Sequence, residues 1–253
     1  MKILGIIPAR YGSTRFPGKP LVVIDGKTMI RRVYEQAVKC PSLAGVTVAT
    51  DDDTIYRHVL SWGGHAVMTG SHHGSGTERC MEALTILEKE DGACDGVINI
   101  QGDEPFIDPE EITQLAHCLE ESGAGIATLV KKILSDQDLD NPNVVKVVTD
   151  REGFALLFSR SAIPYARGFP GTERLTAAVY LRHVGIYGYR TDTLRQIISL
   201  PSCQPELAES LEQLRWLWHG YRIATKLTEF ESIAIDSPED LLKITNTHGP
   251  PGV

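Results

Sequence analysis

An α/β fold, doubly wound about a mostly parallel sheet and carrying a small antiparallel lobe, is predicted by three observations. Short apolar runs alternate with helix-period segments through the first half of the 253 residues. The connections between those runs are long enough for parallel crossovers. Glycine-rich or acidic clusters follow the apolar runs, at the carboxyl ends of strands, where open α/β sheets bind ligands.

The first buried strand is predicted at residues 3–7, and Pro8 to Pro20 follow it as a loop. That loop gathers Arg10, Arg15 and Lys19 around Gly12, Gly18 and the pair Ser13-Thr14. Glycine lets backbone amides approach an anion, and three cations add the charge that a polyphosphate requires. A solvated basic surface loop is the plain alternative, and the strand-end position argues against it. Five residues separate Gly12 from Gly18 and Pro20 follows Lys19, so this is not a Walker A loop. Proline has no hydroxyl to hold magnesium, and a metal ligand has to come from elsewhere in the chain. No G-x-G-x-x-G follows the strand, which excludes a dinucleotide fingerprint.

Residues 21–24 form an apolar run ended by Asp25-Gly26, and Thr28 is placed to cap a helix that stops before Pro41. A strand at 46–49 runs into Thr50-Asp51-Asp52-Asp53, and a helix spans about 54–62. After a short strand at 66–68, a second glycine-rich loop, 70–76, leads into a helix that starts at Thr77. The fourth strand, 97–100, ends in Gln101-Gly102-Asp103-Glu104-Pro105, and Asp108 caps a helix opened by Pro109. Another strand follows at 125–130.

From Asn141 the pattern changes to a hairpin, 144–148 and 154–158 about Asp150 to Gly153. A strand at 180–189, a helix at 205–219 and strands at 223–227 and 232–235 complete the chain. Residues 1–253 are expected to form one domain with a Rossmann-like sheet. Within it, about 141–205 are an inserted lobe used for dimerisation, and 249–253 are a disordered tail.

Composition fits that picture. Hydrophobic residues make up 42% and charged residues 23%, close to the globular norm. A net charge of −8 argues against nucleic acid as the main partner and makes a local cationic loop more specific. Five scattered cysteines without a C-x-x-C pair suggest thiols used as small hydrophobes in a reducing, cytoplasmic setting. No apolar run is long enough to insert into a membrane. His72 and His73 are expected to be solvated, since no carboxylate or cysteine stands at ligand spacing.

Two further sets bear on chemistry. Gly102-Asp103-Glu104-Pro105 puts a carboxylate directly after a buried strand, and Asp236 stands at a later strand end. Either is an ordinary turn residue taken alone; magnesium with a polyphosphate would use such a pair. Arg160, Arg167, Arg182-His183 and Tyr187 form a cationic, hydrogen-bonding set suited to an acidic second substrate, with sheet packing and surface roles as the plain alternatives.

Taken together, the motifs resemble the 3-deoxy-manno-octulosonate cytidylyltransferase (CMP-Kdo synthetase) family over nearly the whole chain. The resemblance rests on Ile7-Pro8-Ala9-Arg10, Ser13-Thr14-Arg15, Pro17-Gly18-Lys19-Pro20, Ala49-Thr50-Asp51 and Ser75-Gly76-Thr77-Glu78-Arg79. It continues through residues 99–105, Asn141-Pro142-Asn143, residues 182–190 and 211–215, and Asp236-Ser237-Pro238-Glu239-Asp240. Residues 168–179 carry none of its motifs.

The resemblance implies transfer of CMP from CTP to the anomeric hydroxyl of an acidic octulosonate in lipopolysaccharide synthesis, with Mg2+ and a homodimer. It implies that Ala9, Arg10, Ser13, Thr14, Arg15 and Lys19 hold the triphosphate, with Arg10, Lys19 and Asp103 catalytic. Ser75, Gly76 and Thr77 would seat the cytidine, and Asp103 and Asp236 the metal. Gln101, Arg160, Arg167, His183, Tyr187, Glu212 and Gln213 would hold the sugar. An 8-amino form of the sugar or a sialic acid is the alternative acceptor.

Overall fold

The computed structural model describes residues 1–12, 16–230 and 234–241. It is an α/β protein whose chain divides into two compact units, Met1–Thr113 with the described residues from Phe230 on, and Gln114–Glu229.

In the first unit β1 (Ile3–Ala9) is buried almost throughout, with Ile3, Ile6 and Ile7 at most 1% exposed. Such a continuous apolar run is what a strand covered on both faces needs. The chain then makes a 3-10 turn, Lys19–Leu21, and a two-stranded hairpin, β2 (Val23–Ile24) and β3 (Lys27–Thr28), where one apolar run was expected. Asp25 and Gly26 turn that hairpin with positive φ.

Helix α1 (Met29–Ala37) follows, then β4 (Gly45–Thr50), α2 (Asp53–Ser61), β5 (Ala66–Met68), α3 (Gly76–Asp91), β6 (Gly96–Asn99) and the start of α4 (Pro109–Glu121), whose residues from Gln114 on belong to the second unit. Thr28 stands at the N-cap of α1 as expected, yet its hydroxyl bonds His58 Nε2 at 2.8 Å and caps nothing. Asp52 and Ser75 cap α2 and α3, accepting from the Ile55 and Glu78 amides, so both helices begin one residue before their expected starts.

β1 pairs in parallel with β4 on one side and β6 on the other, and β5 adds in parallel to β4. Counted along the chain, these four parallel strands lie in the order 3-2-1-4. The order reverses between β1 and β6, and the crevice beyond their carboxyl ends is where such sheets take ligands.

The second unit holds β7 (Ile126–Lys132), α5 (Asp136–Asp140), β8 (Lys146–Thr149), β9 (Ala155–Ser159), α6 (Arg174–Ala177), β10 (Leu181–Arg190), α7 (Thr191–Ile197), α8 (Gln204–Glu209), α9 (Gln213–Trp218) and β11 (Ile223–Leu227). β10 runs antiparallel to β7 and to β8, β8 and β9 form the expected hairpin, and β11 adds in parallel to β7. The hairpin turn is held by Asp150, whose Oδ1 accepts from the Glu152 and Phe154 amides at 2.9 and 2.8 Å.

Residues 168–179, which carry no motif, are tied down here by Arg174. Its guanidinium grips both oxygens of Asp140 at 2.8 Å and reaches Asp136 at 3.0 Å.

Two expectations need correction. The helix expected over 205–219 is two helices, because Ser210 takes a left-handed conformation, φ 51 and ψ 50, and ends α8. A non-glycine residue is strained there. Ser210→Gly is expected to stabilise the protein by about 0.5 kcal/mol net, seen as a higher urea midpoint. The strand expected at 232–235 does not form in its described part, residues 234–235, although Ile235 is fully buried.

The five cysteines are all free and buried, and burial pushes the Cys118 thiol up to about 11. No helix among the described residues is long and apolar enough to cross a membrane.

Candidate active site

At the β1/β6 reversal the first unit holds a cavity of about 290 Å³. Its wall comes from Pro8, Ala9 and Arg10 at the end of β1, Lys19 and Pro20 in the 3-10 turn, and residues 73–76 at the start of α3. Gln101, Gly102 and Asp103 after β6, with Asp236, close it.

The cationic loop is closed by a backbone bond from Gly18 N to Tyr11 O at 3.0 Å, and Gly18 has φ 70, which glycine adopts without strain. The turn that follows presents Lys19. Its ammonium donates to Asp103 Oδ2 at 2.7 Å and to Asp236 Oδ1 at 3.2 Å. Carboxylates separated by more than a hundred positions in sequence therefore converge on one cation.

Asp236 is delivered by a segment anchored on both of its sides. Ile235 donates its amide to Asp103 O at 2.9 Å and buries its side chain against Ile24 and Met29. Beyond it, Asp240 Oδ2 accepts from the amides of Asp236 and Ser237 and from the Ser237 hydroxyl, at 3.0 to 3.3 Å.

Two glycines make the wall possible. A Cβ on Gly76 would lie 3.3 Å from Pro8 and 3.4 Å from Asn99, so the start of α3 sits tightly against the strand ends. A Cβ on Gly102 would lie 2.8 Å from the Pro8 carbonyl oxygen. Gly102→Ala is expected to push the Asp103 turn away from β1 and to destabilise the fold by about 1–3 kcal/mol, measured as a lower urea midpoint.

Arg79, given no role by the sequence motif that contains it, lines the cavity and is 4% exposed. Its guanidinium donates to Thr69 Oγ1 at 2.7 Å and Gly70 O at 3.2 Å and pairs with Asp51 at 3.3 Å. The sequence signal is Asp51 directly after β4 with Arg79 in the first turn of α3, because a buried arginine needs such a carboxylate.

Of the expected nucleotide residues, Ala9, Arg10, Lys19, Ser75 and Gly76 line the cavity, while Thr77 is buried in the first turn of α3 and does not. Ser13, Thr14 and Arg15 lie outside the described residues. Among the expected sugar residues Gln101 lines the cavity, and the other six belong to the second unit.

There His183 packs against Phe158 and Tyr187, and Tyr187 meets Trp216 edge-on. The Thr128 hydroxyl lies 2.7 Å from Ile186 O and 3.1 Å from His183 Nε2. Its single proton goes to the carbonyl, so His183 Nε2–H donates to it and Nδ1 is left as an acceptor. Protein around the ring pushes the His183 pKa down to about 4, so the imidazole is neutral at pH 7. Burial, then the Glu212 carboxylate, hold the Tyr187 phenol well above its usual range.

Glu212 precedes α9 and Gln213 is buried in its first turn. Arg160 is committed to the protein: its Nε donates to Glu209 O at 2.6 Å and an NH group to Pro142 O at 2.9 Å. Arg167 is exposed in the loop after Ile163-Pro164.

A strand-end cavity of this kind is where open α/β sheets bind ligands, and the family model described as Cytidylyltransferase matches residues 4–226. A 3-deoxy-manno-octulosonate cytidylyltransferase of Parabacteroides distasonis is 51% identical over 247 residues, 96% of each chain. Its counterpart in Cytophaga hutchinsonii is 50% identical over 248 residues, 98% of each.

A solved structure of CMP:2-keto-3-deoxy-manno-octonic acid synthetase complexed with CTP superposes with a TM-score of 0.89, at 42% identity over 98% of each chain. The 4-diphosphocytidyl-2C-methyl-D-erythritol synthase of Anaerococcus prevotii, at 13% identity and a TM-score of 0.61, shares the fold alone. The chain belongs to the 3-deoxy-manno-octulosonate cytidylyltransferase family.

Proposed function

We propose that this protein transfers CMP from CTP to the anomeric hydroxyl of 3-deoxy-D-manno-octulosonate, forming CMP-Kdo and releasing pyrophosphate. The observation that carries this reading is the convergence of Asp103 and Asp236 on Lys19 inside a cavity walled by the cationic loop and the start of α3. The names of the relatives at about 50% identity support the same reaction and acceptor.

The anomeric hydroxyl attacks the α-phosphorus and gives up its proton to solvent as the bond from that phosphorus to the bridging oxygen breaks, and pyrophosphate leaves in line. Positioning and charge stabilisation dominate such a step. Arg10 and Lys19, with Ser13, Thr14 and Arg15, would hold the triphosphate. Ser75 and Gly76 would seat the cytidine through backbone and hydroxyl groups, and Thr77 would support them from the helix.

Gln101, Arg160, Arg167, His183, Tyr187, Glu212 and Gln213 would hold the acidic sugar, with neutral His183 offering Nδ1 to a hydroxyl. Arg160 would have to give up a carbonyl to take the sugar carboxylate.

Asp103 and Asp236 fit Mg2+, because two hard carboxylate oxygens already meet at a cation, here the Lys19 ammonium. Mg2+ held there would supply Lewis-acid polarisation of the attacking hydroxyl and the α-phosphate. Lys19 would then release the carboxylates and turn its charge to the phosphates.

In this reading the chain is one doubly wound, Rossmann-like nucleotidyltransferase domain acting in the cytoplasm, upstream of lipopolysaccharide assembly. Residues 141–205 would form the surface of a homodimer, where Leu156, Tyr165 and Val179 stand exposed.

The test is pyrophosphate release with CTP and Mg2+ against 3-deoxy-D-manno-octulosonate, its 8-amino form and a sialic acid, with UTP as control. Release is expected with CTP and the octulosonate. Activity on the sialic acid without activity on either octulosonate would overturn the assignment of the acceptor.

A further inference from the structure

The structure assigns a second metal site, for a transition-metal ion of the zinc type, to His72, His73 and Glu82. Their donor atoms lie within 4.8 Å of one another, and among the described residues no other three His, Cys, Asp or Glu side chains converge in this way. The histidines alone suggested solvation; the missing ligand is Glu82, which the second turn of α3 carries back over the glycine loop.

Three features preform the cluster. Glu82 Oε2 accepts from the Gly70 amide at 2.8 Å and from His73 Nε2, so the carboxylate is oriented before any ion arrives. The His73 side chain is 8% exposed, held against the helix and not free in water. The ring of His72 folds back over Gly70, where a Cβ would lie 2.5 Å from Nδ1 and Cε1, so the glycine makes room for it. The two imidazole rings then stand with centroids 4.3 Å apart.

Donors around a tetrahedral zinc lie about 3.3 Å apart, so a small inward shift of His72 and a small separation of His73 from Glu82 complete three ligands. Water takes the fourth position. Imidazole donors favour zinc, cobalt or nickel over magnesium, so this site is distinct in chemistry from the oxygen-only pair Asp103 and Asp236. It bears on the loop that supplies Gly74, Ser75 and Gly76 to the cavity wall.

The test titrates the metal-free full chain with Co2+, followed by visible absorption and by Zn2+ competition. One equivalent is expected to give d–d bands without thiolate charge-transfer absorption, and Zn2+ is expected to abolish them. His72→Ala and Glu82→Gln are each expected to weaken binding by at least about tenfold, while Asp103→Asn leaves it unchanged. No Co2+ binding, a thiolate band, unchanged affinity in either His72→Ala or Glu82→Gln, or loss in Asp103→Asn would each overturn the site. Circular dichroism of the variants separates ligand loss from misfolding.

Discussion

Asp103→Asn is expected to fold normally and to lose at least a hundredfold in turnover at saturating Mg2+, on the order of 3 kcal/mol in the barrier. The fold is spared because Asp103 holds the C-terminal segment through its backbone carbonyl, which accepts from Ile235 N at 2.9 Å. Its side chain meets Lys19 at 2.7 Å, and an asparagine keeps the size while losing the charge. A neutral amide is a poor magnesium ligand beside a triphosphate, so the loss falls on kcat and not on stability. Steady-state rates with matched circular dichroism spectra check it. Near-normal turnover would remove Asp103 from the chemistry and the metal with it. Asp236→Asn is expected to be the milder change, since its side chain is 48% exposed against 25% for Asp103.

Lys19→Met is expected to separate two properties that usually fall together. Turnover drops by roughly a hundredfold, because a phosphate-binding cation is gone from the transition state. Mg2+ binding to the nucleotide-free protein tightens by about tenfold, because the ammonium no longer competes for both carboxylates. The salt bridges at 2.7 and 3.2 Å make Lys19 a resident counter-charge, which Mg2+ would have to displace under the proposed metal assignment. Calorimetric titration of Mg2+ without nucleotide decides the matter. Equal or weaker Mg2+ binding in the variant would mean that Lys19 does not occupy the place of the metal.

The parts of this molecule that were legible in sequence are those fixed by local pattern. β1, β4, β5 and β6 announce themselves as apolar runs closed by polar clusters, so Lys19, Ser75, Gln101 and Asp103 could be placed at one sheet edge. What local pattern does not carry is the partner chosen by a side chain. Thr28 occupies a capping position, yet His58 from another helix takes its hydroxyl. Glu82 reaches His73 only because the loop folds back on α3, nine residues away in sequence.

The break between α8 and α9 went unseen for a different reason. Ser210 is neither glycine nor proline, and it takes the left-handed region where the Ser210 and Leu211 amides both turn back to Glu206 O. Helices α5, α6 and α7, five, four and seven residues long, are too short to show a helical period in the sequence.

The return of the chain to Asp103 sets an order of events during synthesis. Asp103 leaves the ribosome 133 positions before Asp236, roughly 7 to 27 s earlier at ordinary elongation rates. Throughout that interval a nascent chain can pair β1, β4, β5 and β6 and shape most of the cavity while holding only one of its two acidic residues. If both aspartates hold the metal as proposed, nucleotide loaded with magnesium would meet an incomplete grip until Ile235 docks its segment on Asp103. Under the proposed assignment of both aspartates to the metal, competence would wait on the segment that Ile235 docks against Asp103.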